Sequence, residues 1–319
     1  MRLSELIKIR RSIDALDLEE TVNAFDKSHL HLVSIINNLA YKADNTIQSI
    51  THSGIKISEE FDVIKNSISE YRKLIQQEID KLQAGYYVRS EEIYYASRHD
   101  SVDYIFDRRK NSLTFRVESS KEIFLSRVSA YNDWRYPGAE IRPAFGEVTE
   151  VIKGCDPLYL IDTDEELFRE IKNNWSQTYQ RRLRYYTINE TNNDMFYQLP
   201  DNQFGFIVSV DYFNFKPLNF LEKALKDLYN KLRPGGILMF TYNNCDMPYA
   251  VQNVEKEFCC FTPGHKVVAF AQDIGYEIIS QVDDVENISW LELKKPGEIT
   301  TLRGGQTLGE ILSFSDRPK

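Results

Sequence analysis

Along the first eighth of the chain, apolar residues recur at alternating spacings of three and four: Val22, Phe25, Leu32, Ile36 and Leu39, with His29 at the intervening position. A second stripe runs through Ile57, Phe61, Ile64, Ile68, Tyr71, Ile75 and Leu82. This spacing gathers apolar side chains on one helix face, in heptad fashion. Thr51-His52-Ser53-Gly54, a polar break ending in glycine, separates the two stripes. Residues 1–84 are therefore expected to form a coiled-coil-like helical hairpin, led by a shorter helix over 4–16. One stripe per helix leaves surface for a second copy, for a protein partner, or for the chain's own globular part. His29 reads as a helix-interface histidine.

Residues 85–135, rich in Tyr and Arg and less periodic, read as a connector with short helices near 99–108 and 119–131. The rhythm then changes. Apolar strands are expected near 138–142, 158–162, 184–189, 204–210, 236–242, 276–282 and 287–294, with amphipathic helices at 164–174 and 218–232. Strands alternating with helices imply an α/β fold with a parallel sheet covered on both faces. Only a short polar turn separates the last two strands, so they should close as an antiparallel hairpin. This domain spans 136–296, and 297–319 is a C-terminal tail in which Leu308, Ile311 and Phe314 could dock on a partner.

With 319 residues, 42% of them hydrophobic, the chain can bury a sizeable core. A formal charge of -9 disfavours broad binding to nucleic acid, which needs a basic face. Arg181, Arg182 and Arg184 form the only candidate basic cluster, and they read as a solvated surface. No run approaches the roughly 20 apolar residues of a membrane span. Cys155, Cys245, Cys259 and Cys260 have neither the spacing of a zinc site nor that of a disulfide framework, so no metal is expected. A reducing, cytoplasmic location is the expectation, with a place in a larger assembly such as a virus particle as the alternative.

Two segments carry a resemblance. Leu199-Pro200 before Phe204-Gly205-Phe206-Ile207-Val208-Ser209, and Leu232-Arg233-Pro234-Gly235-Gly236 before an apolar run, resemble the approaches to the fourth and fifth strands of class I S-adenosylmethionine-dependent methyltransferases. Gly275-Tyr276-Glu277 before the closing hairpin matches the same order, so the resemblance covers about 160 residues. It implies a Rossmann-like class I methyltransferase fold and S-adenosylmethionine as cofactor. Glu140-Ile141-Arg142-Pro143-Ala144-Phe145-Gly146 falls where the family has an acid followed by three alternating glycines. Gly146 keeps a glycine, while Arg142 and Ala144 replace the other two. Arg142 either points away or meets the cofactor's carboxylate. Asp162, at the end of the second strand, takes the ribose-binding role by resemblance, and Asp164 reads as a helix cap. Asp194 and Met195 match the acid and adenine-contacting positions after the third strand, and Ser209 ends the fourth.

Methyl transfer from a sulfonium requires alignment and exclusion of water more than a fixed catalytic motif. No catalytic residue is assigned. Acceptors would approach beyond the ends of the fourth and fifth strands, near Ser209, Asp211, Tyr212, Tyr242, Asn243 and Asn244. Asp211 and His265 are candidate bases, each with a structural reading beside it. Asn243-Asn244-Cys245-Asp246 lacks the aromatic-proline tetrapeptide of amino-group methylation on bases and glutamine. Two functions stand at this point: a methyltransferase on a helical oligomerisation or docking arm, or a methyltransferase-like assembly module without turnover.

Overall fold

Phe204 to Ser209 shows no polar alternation, and all six residues are buried, as a central strand covered on both faces requires. This segment is β4 (Phe204–Ser209) of a seven-stranded sheet seen in a computed structural model of the chain. Its described residues are 4, 57–98, 100–105, 118–143, 145–256, 259–283 and 289–298. The other strands are β1 (Gly138–Ile141), β2 (Leu158–Asp162), β3 (Leu183–Thr187), β5 (Leu232–Tyr242), β6 (Glu277–Asp283) and β7 (Ser289–Lys294). They lie in the order β3-β2-β1-β4-β5-β7-β6. β1 to β5 are parallel, and β7 runs antiparallel to both β5 and β6. This is the Rossmann-like class I methyltransferase fold with its terminal antiparallel hairpin.

The described helices are α1 (Ile57–Ser97), α2 (Glu118–Ser129), α3 (Glu147–Val151), α4 (Arg169–Asn174), α5 (Gln177–Gln180), α6 (Leu218–Lys231), α7 (Pro248–Glu255) and α8 (Gly264–Ile274). None is long and apolar enough to cross a membrane. The chain divides into two compact units, Met1–Tyr86 and Tyr87–Lys319. α1 continues through residue 84, where the connector was expected to begin. The expected leading helix, the Val22 to Leu39 stripe, the Thr51 to Gly54 break and the tail from 299 onward lie outside the described residues.

Each sheet face has its own core. On one, Ile141, Ile207, Leu238 and Phe240 cluster with Leu221, Leu225 and Leu228 of α6 and Val267 of α8. On the other, Leu160, Phe206, Val208 and Met239 cluster with Phe124 and Val128 of α2 and Ile152 and Ile171 near α3 and α4. Neighbours such as Phe206 and Ile207 belong to opposite clusters, following the strand's period of two. Burying each such side chain stabilises the fold by about 1.5–3 kcal/mol. α2 is also tied to the sheet by charge: Arg127 and Tyr131 donate to Glu292, a carboxylate with no exposure in β7.

Among the described residues, two strand boundaries differ from expectation by more than one residue. β3 ends at Thr187, so Ile188, Asn189 and Glu190 leave the sheet and form a loop above it. β5 begins at Leu232 because Leu232 pairs with Phe204 before the Gly235 bend, where φ is 78°. Gly205, inside β4, has a local cause. A Cβ there would lie 2.0 Å from Cδ2 of Tyr136. The ring of Tyr136 occupies the space of a side chain at 205. Gly205→Ala should therefore lower stability by about 1–3 kcal/mol in urea denaturation. Combined with Tyr136→Ala, it should cost less than the sum of the two single losses.

Candidate functional site

In open α/β sheets ligands bind beyond the carboxyl ends of the strands, where the strand order reverses. Here that point lies at β1, which has β2 on one side and β4 on the other. Beyond it lies a cavity of about 350 Å³. Arg142 enters it from β1, Thr163 and Asp164 from β2, and Ile188, Asn189 and Glu190 from β3. Lys216 lines it from the turn after β4, and Ser97, Arg98, Val102 and Ile105 from the end of α1 and the residues following. The volume falls within the roughly 300–1,000 Å³ of small-molecule sites.

Arg142 has φ 63° and is 5% exposed. For a residue with a Cβ, this left-handed conformation costs about 1–2 kcal/mol. It is one that glycine adopts freely, so the turn keeps a glycine-type backbone without the glycine. Its amide donates to the Ile161 carbonyl at 2.8 Å, which ties the turn to β2. The guanidinium carbon stands 5.4 Å from the ring centre of Tyr212, and Nε has no hydrogen-bond partner. Asp211, just before that tyrosine and after β4, is also left-handed, at φ 54°.

Glu190 is the anionic centre. Lys216 Nζ donates to both its oxygens, at 2.6 and 2.7 Å, and the hydroxyls of Tyr212 and Tyr94 donate at 2.6 and 3.1 Å. The ammonium also stands 4.8 Å from the ring centres of Tyr94 and Tyr212 and 5.1 Å from that of Phe220. An aromatic cage of this kind partly replaces lost hydration by cation–π attraction. Burial still pulls the Lys216 ammonium down to about 8 against the opposing pull of Glu190, and Arg142 adds to the fall. Burial pushes the Glu190 carboxyl up, but Lys216 and the tyrosine hydrogen bond outweigh it and hold it below the ordinary carboxylate value.

The residues named from sequence divide. Arg142 lines the cavity. Asp162 is 2% exposed and accepts from the Thr163 amide at 2.8 Å, while its neighbours Thr163 and Asp164 line the cavity. Glu140 is buried and accepts from Thr149 Oγ1 at 2.6 Å, joining β1 to α3. Gly146 is the left-handed N-cap of α3, with φ 87°. Ser209 is fully buried and donates to the Ile141 carbonyl at 3.4 Å, joining β4 to β1. Asp194 and Met195 do not line the cavity. Met195 N donates to Asp227 on α6, and Asp194 is exposed, accepting from the Phe196 amide. The acid beside the cavity after β3 is Glu190, which the sequence reading did not single out. Ala144 lies outside the described residues.

On the acceptor side, the Asn243 and Asn244 side chains are spent on structure. Asn243 donates to the Ala250 and Cys260 carbonyls, and Asn244 donates to Asp283 and accepts from the Gly264 amide. His265 pairs with Asp246 through Nδ1 at 2.7 Å, and the same carboxylate accepts the His265 amide. That second bond lies at the start of α8, in keeping with a capping role.

No protein-family profile and no curated protein matches the sequence. Solved structures do. A complex containing the Haloferax volcanii Trm112 methyltransferase activator is 10% identical over 54% of this chain and 88% of that one, with a TM-score of 0.44. The N-methyltransferase NodS from Bradyrhizobium japonicum WM9, solved with S-adenosyl-L-homocysteine, is 17% identical over 56% and 87%, with a TM-score of 0.43. A SAM-dependent methyltransferase from Aquifex aeolicus is 15% identical over 53% and 87%, with a TM-score of 0.39.

The Lys216 and Glu190 pair sets a pH signature. Glu190, lowered in the folded state, stabilises the fold above the ordinary carboxylate pKa, and that contribution is lost as pH falls through the lowered value. Lys216, also lowered, acts in the same direction at higher pH. Between about 8 and the ordinary lysine value the unfolded chain binds more protons, so its contribution to stability rises with pH. Glu190→Gln strands a buried ammonium and should cost about 3 kcal/mol at pH 7. The loss should be smaller at pH 9, where Lys216 is largely neutral, and urea denaturation at the two pH values measures the difference.

Proposed function

We propose that the chain is an S-adenosylmethionine-dependent methyltransferase whose cofactor site is the cavity at the carboxyl ends of β1, β2 and β3. The observation that carries this reading is Arg142: a buried guanidinium kept in a glycine-type turn at the edge of a ligand-sized cavity. Strain of this kind persists where surrounding structure imposes it, and it concentrates at ligand sites.

The donor set suits the cofactor. Arg142, with Nε unpartnered, would hold the amino-acid carboxylate as a charge-assisted pair. Asp164 would face the ribose from the end of β2, with Asp162 buried behind it. Ile188, Val102 and Ile105 offer apolar surface for the base, and the Asn189 amide can read its edge. When bound, the cofactor supplies a methyl group already activated for in-line displacement. The chain's own part is to align the acceptor and exclude water, with Asp211 and His265 as candidate proton acceptors. Residues 1–84 are read as an arm for self-association or for docking on a protein partner.

One observation favours the second reading, a methyltransferase-like assembly module without turnover. The Asp162 carboxylate does not line the cavity, whereas a ribose-binding acid should be reachable from it.

Titration calorimetry with S-adenosylmethionine and S-adenosylhomocysteine separates the two. The cofactor reading expects binding of both, weakened about tenfold or more in Arg142→Ala, the equivalent of one lost charge-assisted hydrogen bond. No heat at high micromolar ligand with a folded protein would leave the assembly module standing. For the arm, deletion of residues 1–84 should lower the number of chains per particle, read by light scattering as particle mass over the mass of the shortened chain, and an unchanged number would remove its oligomerising role.

A further inference from the structure

Lys216 is an unusual lysine. Its side chain is 8% exposed, it lines the cavity, and Tyr94, Tyr212 and Phe220 surround its ammonium. Two features make a lysine nucleophilic: desolvation in an apolar enclosure and a neighbouring cation, both of which favour the neutral amine. Both are present. The second cation, Arg142, lines the same cavity and stands over the same Tyr212 ring as Lys216, at 5.4 Å against 4.8 Å. Glu190 bonds directly to Nζ and so is placed to take its proton.

The geometry points to Lys216 as a carbonyl-reactive amine in a cavity that accepts an α-oxo carboxylate, with the ligand's carboxylate on Arg142 and its carbonyl carbon at Lys216 Nζ. Arg142 fits this role because its Nε is nearly excluded from solvent and has no partner, so it gains a charge-assisted bond when a carboxylate enters. The step balances within the site. Lys216 transfers a proton to Glu190, and its lone pair forms the C–N bond as the carbonyl π electrons move to oxygen. One proton on the newly bonded nitrogen passes to the oxyanion to give the carbinolamine hydroxyl; Glu190 then returns its proton to that hydroxyl, which leaves as water, and the nitrogen lone pair closes the C=N bond as a protonated imine. Neither an oxidant nor a metal is needed. This chemistry stands apart from methyl transfer, because it requires neither the cofactor nor an acceptor.

The test is reductive trapping. The full-length protein is incubated with pyruvate and cyanoborohydride near pH 8, and modified lysines are located by peptide mass spectrometry. Acetone, which has the carbonyl without the carboxylate, is the control ligand. Lys153, whose side chain is 52% exposed, is the control lysine. Pyruvate should modify Lys216 about tenfold or more faster than Lys153, and the preference for pyruvate over acetone should disappear in Arg142→Ala. Labelling of Lys216 no faster than Lys153 overturns the proposal, as does equal labelling by pyruvate and acetone in the wild type. The outcome is independent of the calorimetry: selective trapping without S-adenosylmethionine binding would sink only the methyltransferase reading, and binding without trapping only this one.

Discussion

Burial of charge at the carboxyl ends of the strands is the constraint on which the rest of this site depends. Removing a carboxylate and two cations from water costs several kcal/mol per ion unless they are paired and hydrogen-bonded. Each member of the group comes from a different element. Arg142 arrives on the turn after β1, Glu190 on the loop after β3 and Lys216 on the turn after β4, while Tyr94 comes from α1. Only the parallel pairing of β3, β2, β1 and β4 brings these segments to one rim. The sheet therefore balances the charges, and a failure of register would leave them exposed to the full penalty.

The same constraint bears on the turn after β1. In the resembling family a glycine allows close approach to the strand-to-helix turn. Here the backbone at 142 keeps that left-handed turn, anchored by its amide to β2, and the added side chain lies against Tyr212 beside the cavity. At this position a guanidinium side chain, not bare backbone, lines the cavity. The charge balance shifts with it. With Glu190 engaged by Lys216, Arg142 is the buried cation, beside the more exposed Arg98, that can meet an anionic group on a ligand.

Much of the architecture was legible in the sequence because it follows from local rules. Uniformly apolar runs such as Phe204 to Ser209 can be satisfied only in a sheet covered on both faces. The closing hairpin followed from the short polar turn between two strands, and α6 from its stripe of leucines. The site was harder to read, since it depends on where strands stop. Tyr185, Tyr186 and Ile188 all suit a strand, and composition alone does not show that the sheet ends at Thr187. Asp194 and Met195 were named by resemblance, and Glu190, which lines the cavity, was not singled out. Asp162 stands at the strand end as expected, but the sequence does not reveal that its carboxylate accepts from the Thr163 amide. Lys216 carried no local signal, as its burial arises from Tyr94, Tyr212 and Phe220, of which one is more than a hundred residues away.

The central claim is that this rim is a ligand site shaped by the Arg142 turn and the loop after β3. Hydrogen–deuterium exchange with and without saturating S-adenosylhomocysteine tests it most directly. The account predicts added protection in peptides spanning Ile141 to Gly146 and Ile188 to Glu190, with none in a peptide spanning Asp194 to Leu199. Protection confined to Asp194 to Leu199, or no protection in any of the three, would contradict it.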